Sequence, residues 1–361
     1  MRLSFVIFAV VCTATAGQSL TKSVQSLKKL ASKAKSVFDY ATCSVAYGRQ
    51  TIKNKTVKVL KTPTDIVNAY TQTVQNAGLG SSTLLCEQTL NSVEMIYRFG
   101  LYSAMPYCSP DELSKFPTLK VGGQPLLTGA FRVVQAQRGT TQNWMVVVNE
   151  QQQQVMLIYR GSVNLMDYFT AMNIVPQEPQ QKYFPNAPKS AKLFWGMQDY
   201  FKRKFASIGA LVRAHQTYPQ FKVVVVGHSL GGAMAYLAAL HLGLTKKVPV
   251  FALYTYGQPK TGNQAFDTWH RKVVPPQRFI HVVSYNDLVP YLFSSKSVEW
   301  CDRTQEYFVS NPQQPAVQHC QNQWECSATT GSCATKTWEN HSRYGGMWIG
   351  TAACRMTKVV D

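Results

Sequence analysis

The stretch VVVVGHSLGGAMAYLAAL, residues 223–240, decides the fold. Four consecutive valines are stiff at χ1 and favour an extended strand. The Ala, Met and Leu residues after Gly232 favour a helix. Between them lies Gly227-His228-Ser229-Leu230-Gly231, a G-x-S-x-G sequence. A strand that turns at once into a helix leaves no room for side chains at the two flanking positions. The glycines remove that clash, and the serine takes the strained apex. There its hydroxyl projects above the carboxyl ends of the strands, beside the unpaired N–H groups that open the helix. That is where a negatively charged oxygen on an attacked carbonyl would be held.

Working outward, NWMVVVNEQQQQVMLIYRG (143–161) reads as strand, polar connection and strand, a hairpin. AKLFWGMQDYFKRKFASIGALVRAHQTYP (191–219) reads as helix up to Pro219. Apolar strands follow in FKVVVV, PVFALYTYG and RFIHVVSYND. Continuous apolar strands separated by helices predict an α/β protein with a mostly parallel central sheet covered on both faces. Nearer the N-terminus, Val24, Leu27, Ala31, Ala34, Phe38 and Ala41 recur three and four apart. They predict an amphipathic helix, with further helices over residues 62–78 and 83–100. The expected organisation is a helical part over 17–140 and a catalytic core over 141–345. The last sixty residues lose the strand–helix rhythm. They predict a disulfide-rich, irregular C-terminal segment packed on the sheet.

Arg2 followed by the apolar run 3–11 and by Ala14-Thr15-Ala16 has the form of a secretory signal over residues 1–16. The run is too short for a permanent anchor, and no later stretch is apolar for long enough to span a bilayer. Of nine cysteines, Cys12 lies in this leader; the others are Cys43, Cys86, Cys108, Cys301, Cys320, Cys326, Cys333 and Cys354. An even number in an exported chain predicts disulfides, and the spacings contain no CxxC pair of the zinc-site kind. Asn54-Lys55-Thr56 and Asn340-His341-Ser342 are glycosylation sequons. The formal charge of +19 carries no zinc-finger spacing or aromatic–basic interleaving that would point to nucleic acid. Anionic lipid interfaces or acidic glycans outside the cell fit it better.

A serine hydroxyl needs a base, and the base needs an acid. In this architecture the chain order is Ser, then Asp or Glu, then His. Asp287 follows HVVSYN at the carboxyl end of a predicted strand, where catalytic groups of open sheets gather. The downstream histidines are His241, His270, His281, His319 and His341. His341, in NHSRYGGMW 54 residues after Asp287, is preferred, with His319 the alternative. His228 reads as a packed elbow residue. The oxyanion site needs two convergent N–H groups, one from Leu230. The other is expected at the end of LIYRGSVNLMDYF, from Ser162, whose hydroxyl Asp167 is placed to orient.

YRGS at 159–162, GHSLGGA at 227–233, TYGQPKTGNQAF at 255–266, YNDLVP at 285–290 and His341-x-x-Tyr344 together resemble the class 3, fungal-type triacylglycerol lipases of the α/β-hydrolase superfamily. The resemblance covers roughly Trp144 to Tyr344. It implies Ser229 as nucleophile, Asp287 as triad acid, His341 as base, and Ser162 with Leu230 as the oxyanion site. It also implies a short amphipathic lid, matched here by residues 167–185, with Tyr168, Phe169, Met172, Ile174 and Val175 facing an acyl groove. Two departures stand out: KLFWGMQDYF lacks the histidine that family members commonly carry ahead of a Gly-Phe pair, and a cysteine-rich insert lies between Glu299 and Lys336.

The expected function is a secreted carboxylic ester hydrolase, foremost a triacylglycerol lipase, needing no cofactor or metal. Its partners would be an acylglycerol or other lipid ester and a transient lipid–water interface, not nucleic acid. The alternatives are a phospholipase A1, a short-chain or feruloyl-type esterase, and a secreted lipid-binding protein on a dead hydrolase scaffold. A glycan on Asn340 would crowd the site, so that sequon is expected to be unused or its side chain to point away.

Overall fold

The computed structural model describes residues 90–113, 120–121, 124–125, 131–137, 144–163, 173, 175–245, 247–292, 306–313, 316–320 and 338–355. The leader, the two N-terminal helices expected before residue 80 and Asn54 lie outside these residues, as does most of the lid stretch.

Eight strands form one sheet: β1 Phe131–Gln137, β2 Trp144–Asn149, β3 Gln154–Tyr159, β4 Lys222–His228, β5 Val250–Tyr256, β6 Phe279–Ser284, β7 Glu306–Asn311 and β8 Ala316–Cys320. Their spatial order follows the chain, β8-β7-β6-β5-β4-β3-β2-β1. β1, β2 and β3 pair antiparallel, and β2–β3 is the expected hairpin. From β3 to β7 every pairing is parallel. Helices make the crossovers: α2 Trp195–Arg203 and α3 Ala206–Thr217 before β4, α4 Leu230–Thr245 before β5, α5 Gln264–Val273 before β6. The stretch read as one helix is two, broken at Lys204 and Phe205.

Strand alternation divides the core. Val224 and Val226 point to one face and Val223 and Val225 to the other, and all four are buried. Such runs are apolar at every position because both faces are covered, and each valine contributes about 2 kcal/mol by burial. One face carries α2, α3, α4 and α5. The other carries α1, Val93–Ala104, whose twelve residues are all buried. Ser92 caps α1 by accepting from the Met95 N–H at 3.2 Å. Glu94 and Arg98, one turn apart within it, satisfy each other as a buried ion pair. Tyr254 and Tyr256 of β5 donate their hydroxyls to the carbonyls of Leu90 and Ile96, tying this helix across the sheet.

The C-terminal region corrects the sequence reading. Residues 306–311 and 316–320 are not irregular: β7 adds to the parallel run beside β6, and β8 closes the edge antiparallel. Nor do the described residues show a disulfide-rich segment. The bridge with both ends among them is Cys108–Cys354, which joins the turn after α1 to the last described turn; Cys320 is also disulfide-bonded. The cysteine pattern is a poor guide here because pairing follows spatial neighbours, and these two lie 246 residues apart.

Candidate active site

β4 ends at His228 and α4 starts at Leu230, so Ser229 alone makes the turn, with φ 59°. A non-glycine residue there is strained and needs the surroundings to hold it. The Ser229 N–H donates to the Tyr256 carbonyl at the end of β5 (2.8 Å), and its own carbonyl accepts from Gly232 N–H at 2.8 Å. A Cβ on Gly227 would lie 2.1 Å from the Gly231 oxygen, and one on Gly231 would lie 2.3 Å from the Tyr159 oxygen. The glycines are therefore required by backbone contact, as the motif implied.

The end of β3 closes on the same point. A Cβ on Gly161 would fall 2.6 Å from the Ser229 Cβ. Ser162, the next residue, is partly buried beside it. Leu230 is buried at the first position of α4, so its N–H is among those without an intrahelical acceptor. Asp167 lies outside the described residues.

Asp287 and His341 meet from opposite ends of the core region. Asp287 follows β6, and its Oδ1 accepts from the Val289 N–H at 2.9 Å. Its Oδ2 takes the His341 Nδ1–H at 2.8 Å, with both side chains fully buried. That bond fixes the imidazole with Nε2 facing away from the carboxylate. His341 Nε2 and Ser229 Oγ are each buried without a hydrogen-bond partner. Buried polar atoms are seldom left so. The ring of His228, next to Ser229, stacks on that of His341 at 4.6 Å, which places His341 near the elbow.

The other histidines downstream of Ser229 are elsewhere and engaged. His241 bonds the Tyr183 carbonyl, His270 the Tyr236 carbonyl, and His281 the Thr255 hydroxyl. His319 stacks on Tyr307 in the β7–β8 hairpin.

Gly257 escaped the sequence reading as a site residue. It has φ +53°, and a Cβ on it would lie 2.7 Å from Asp287 Oδ2 and from His341 Nδ1. The Asp–His pair can close only over a glycine. Its signal was the Tyr-Gly after an apolar strand, noticed there only as part of the resemblance. Asn286 and Asn340 form a second bond parallel to the first, Asn340 Nδ2 donating to Asn286 Oδ1. Of the lid residues named from sequence, Val175 is described, and it is exposed; Tyr183 and Phe184 further on are buried in the core.

Residues 156–296 match the family model described as Lipase (class 3). A lipase of Rhizomucor miehei is 29% identical over 219 residues, 59% of this chain and 57% of that protein. A secreted mono- and diacylglycerol lipase 1 of Fusarium solani is 35% identical over 122 residues, 34% of each. The chain spans about half the length of the curated relatives it matches first. The solved structure of Rhizomucor miehei triacylglyceride lipase superposes with a TM-score of 0.58 at 22% identity, covering 73% of this chain and 96% of that one. At that identity the likeness shows the fold, which is the α/β-hydrolase fold. Over residues 156–296, then, the chain is similar to the class 3 lipases.

Proposed function

We propose that this chain is a carboxylic ester hydrolase acting on acylglycerols through Ser229, Asp287 and His341. The observation that carries the proposal is the 2.8 Å Asp287–His341 bond, together with the two unpaired buried atoms it leaves, His341 Nε2 and Ser229 Oγ. In the first step Nε2 takes the Ser229 proton as Oγ attacks the ester carbonyl. Asp287 holds the imidazole in the tautomer that can accept it and stabilises the resulting positive charge. The oxyanion lies toward the N–H groups of Leu230 and Ser162, each such donor being worth about 3 kcal/mol of barrier. The alcohol leaves with the proton from Nε2. Water, deprotonated by the same nitrogen, then attacks the acyl-enzyme, releasing the fatty acid and restoring Ser229. Side chains and backbone handle every proton and charge, so the scheme invokes no cofactor.

Names such as lipase and secreted mono- and diacylglycerol lipase among the relatives support acylglycerols as the substrates and export as the destination. No helix among the described residues is long and apolar enough to cross a membrane. Transient contact with a lipid–water interface completes the proposal. The test is a panel of triolein, a diacylglycerol, a phospholipid and a short-chain nitrophenyl ester, run with wild type and Ser229→Ala. Turnover of glycerides that Ser229→Ala abolishes is expected. Serine-independent turnover, or none on any ester, overturns the reading; preference for the phospholipid or the soluble ester replaces the substrate class.

A further inference from the structure

Tyr107 and His228 lie against the candidate site but have no part in the scheme above. Tyr107 ends the short 3-10 turn Met105–Tyr107 that follows α1, one residue before the Cys108–Cys354 bridge. Its hydroxyl is 2.9 Å from the Gly161 nitrogen and 2.8 Å from His228 Nδ1. The other nitrogen of that ring, Nε2, is 2.9 Å from the His341 carbonyl oxygen.

The protons in this cluster can be assigned from its ends. The Gly161 N–H is a fixed donor, so Tyr107 Oη accepts from it. The His341 carbonyl is a fixed acceptor, so His228 Nε2 carries a proton. Burial, reinforced by the neighbouring His341, holds the His228 imidazole neutral, so it has no second proton and Nδ1 is a lone pair. The Tyr107 O–H must therefore donate to Nδ1. Burial keeps that phenol protonated, and the Arg160 guanidinium lies over its ring, 5.9 Å from the centroid. The result is one directed chain: Gly161 N–H to Tyr107, Tyr107 O–H to His228, and His228 N–H to the His341 backbone.

We propose that Tyr107 and His228 are positioning residues that hold the oxyanion-donor end of β3 and the base His341 in common register around Ser229. The proposal rests on the ester-hydrolase reading, since only there do those two segments act on one transition state. The chain spans them directly. One end fixes Gly161, next to Ser162; the other fixes the backbone of the base, while the His228 ring supports the His341 ring from below. Removing the Tyr107 hydroxyl strands the Gly161 N–H and the His228 Nδ1 lone pair, while the His341 carbonyl keeps the ring proton on Nε2. The His228 ring is then held at one end only, and the register between the end of β3 and the base loop loosens. Displacements on the order of 1 Å at a reacting group cost up to about 100-fold in rate.

The wild-type full chain, labelled with 15N-histidine, tests the proton assignment without any variant: His228 should show a protonated Nε2 and a bare Nδ1. Protonation of Nδ1 in the wild type overturns the chain. In Tyr107→Phe the proton should stay on Nε2 while the Nδ1 resonance shifts with loss of the O–H bond, with kcat lowered about 10-fold or more and KM within about twofold. His228→Gln, which keeps a donor near the Nε2 position, should retain more of kcat than His228→Leu at similar thermal stability. A Tyr107→Phe enzyme that loses stability yet keeps its kcat shows a purely structural role and also overturns the proposal. Should the wild type show no Ser229-dependent turnover, the hydrolase reading falls by itself; register around a reacting serine then has no meaning, and the positioning role falls with it whatever the tautomer.

Discussion

The elbow that carries Ser229 and the loop that carries His341 solve the same problem in different ways. At the elbow, geometry is imposed locally: within residues 227–231, bare backbone at both glycines lets the turn close on itself and on Tyr159. The His341 loop has no such local code. It is a short 3-10 turn, Glu339–Ser342, followed by a two-residue hairpin. Distant segments hold it: Asn286 against Asn340, the Ser284 hydroxyl on the Arg343 carbonyl, the Tyr97 hydroxyl on the Gly345 carbonyl, and His228 on His341. A serine fixed largely by its own neighbours contrasts with a histidine fixed by long-range bonds. Damage to the elbow should therefore be abrupt, and damage to the loop graded.

Gly227→Ala should have the largest effect. Its Cβ would meet the Gly231 backbone, which cannot rotate aside as a side chain would. A destabilisation of about 3 kcal/mol or more, with no active folded enzyme, is expected in denaturant titrations. If Gly227→Ala is tolerated, the elbow is not the rigid partner in this comparison. Next, Asp287→Asn keeps the shape of the pair but offers His341 the wrong hydrogen-bonding group, and kcat should drop by roughly 10⁴-fold with an unchanged melting curve. Replacing Cys108 and Cys354 together by serine should cost about 3 kcal/mol of stability while leaving residual turnover, because the loop keeps its other ties.

Asn340→Ala removes one of those ties, worth about 1 kcal/mol and so roughly fivefold in kcat. Peptide mass mapping of active enzyme should find Asn340 without a glycan, since its amide nitrogen is bonded to Asn286; full occupancy would show that the loop tolerates losing the tie. The smallest change in activity is expected at Lys204, in the break between α2 and α3. Burial, with help from Arg160 and Arg203, lowers its pKa from the usual 10.5 to about 7. Between those pH values the unfolded chain holds a proton that the folded chain has released, so stability to unfolding rises with pH across the window. Urea midpoints of Lys204→Met should lose that slope while kcat stays the same.

The sequence exposed the elbow because strand propensity, glycine and helix propensity change within a dozen residues, and each is a short-range property. The β2–β3 hairpin and the strands β4, β5 and β6 were legible for the same reason, as continuous apolar runs. β7 and β8 were not. EYFVSN and AVQHC are short, flanked by polar and cysteine-containing sequence, and become strands because β6 offers an open edge. Gly257 was not read as a site residue, because the two side chains that close over it come from distant segments.

By itself the sequence determined the strand–serine–helix turn, the glycines it requires, and an acid waiting at the end of a later strand. Those depend on backbone sterics and local preference, which neighbours in the chain decide. Only the tertiary structure decided which histidine meets Asp287, which cysteines pair, and that Tyr107 reaches both Gly161 and His228. Each of these joins groups separated by tens to hundreds of residues. Such meetings follow from how the sheet stacks its layers, and no local pattern records them.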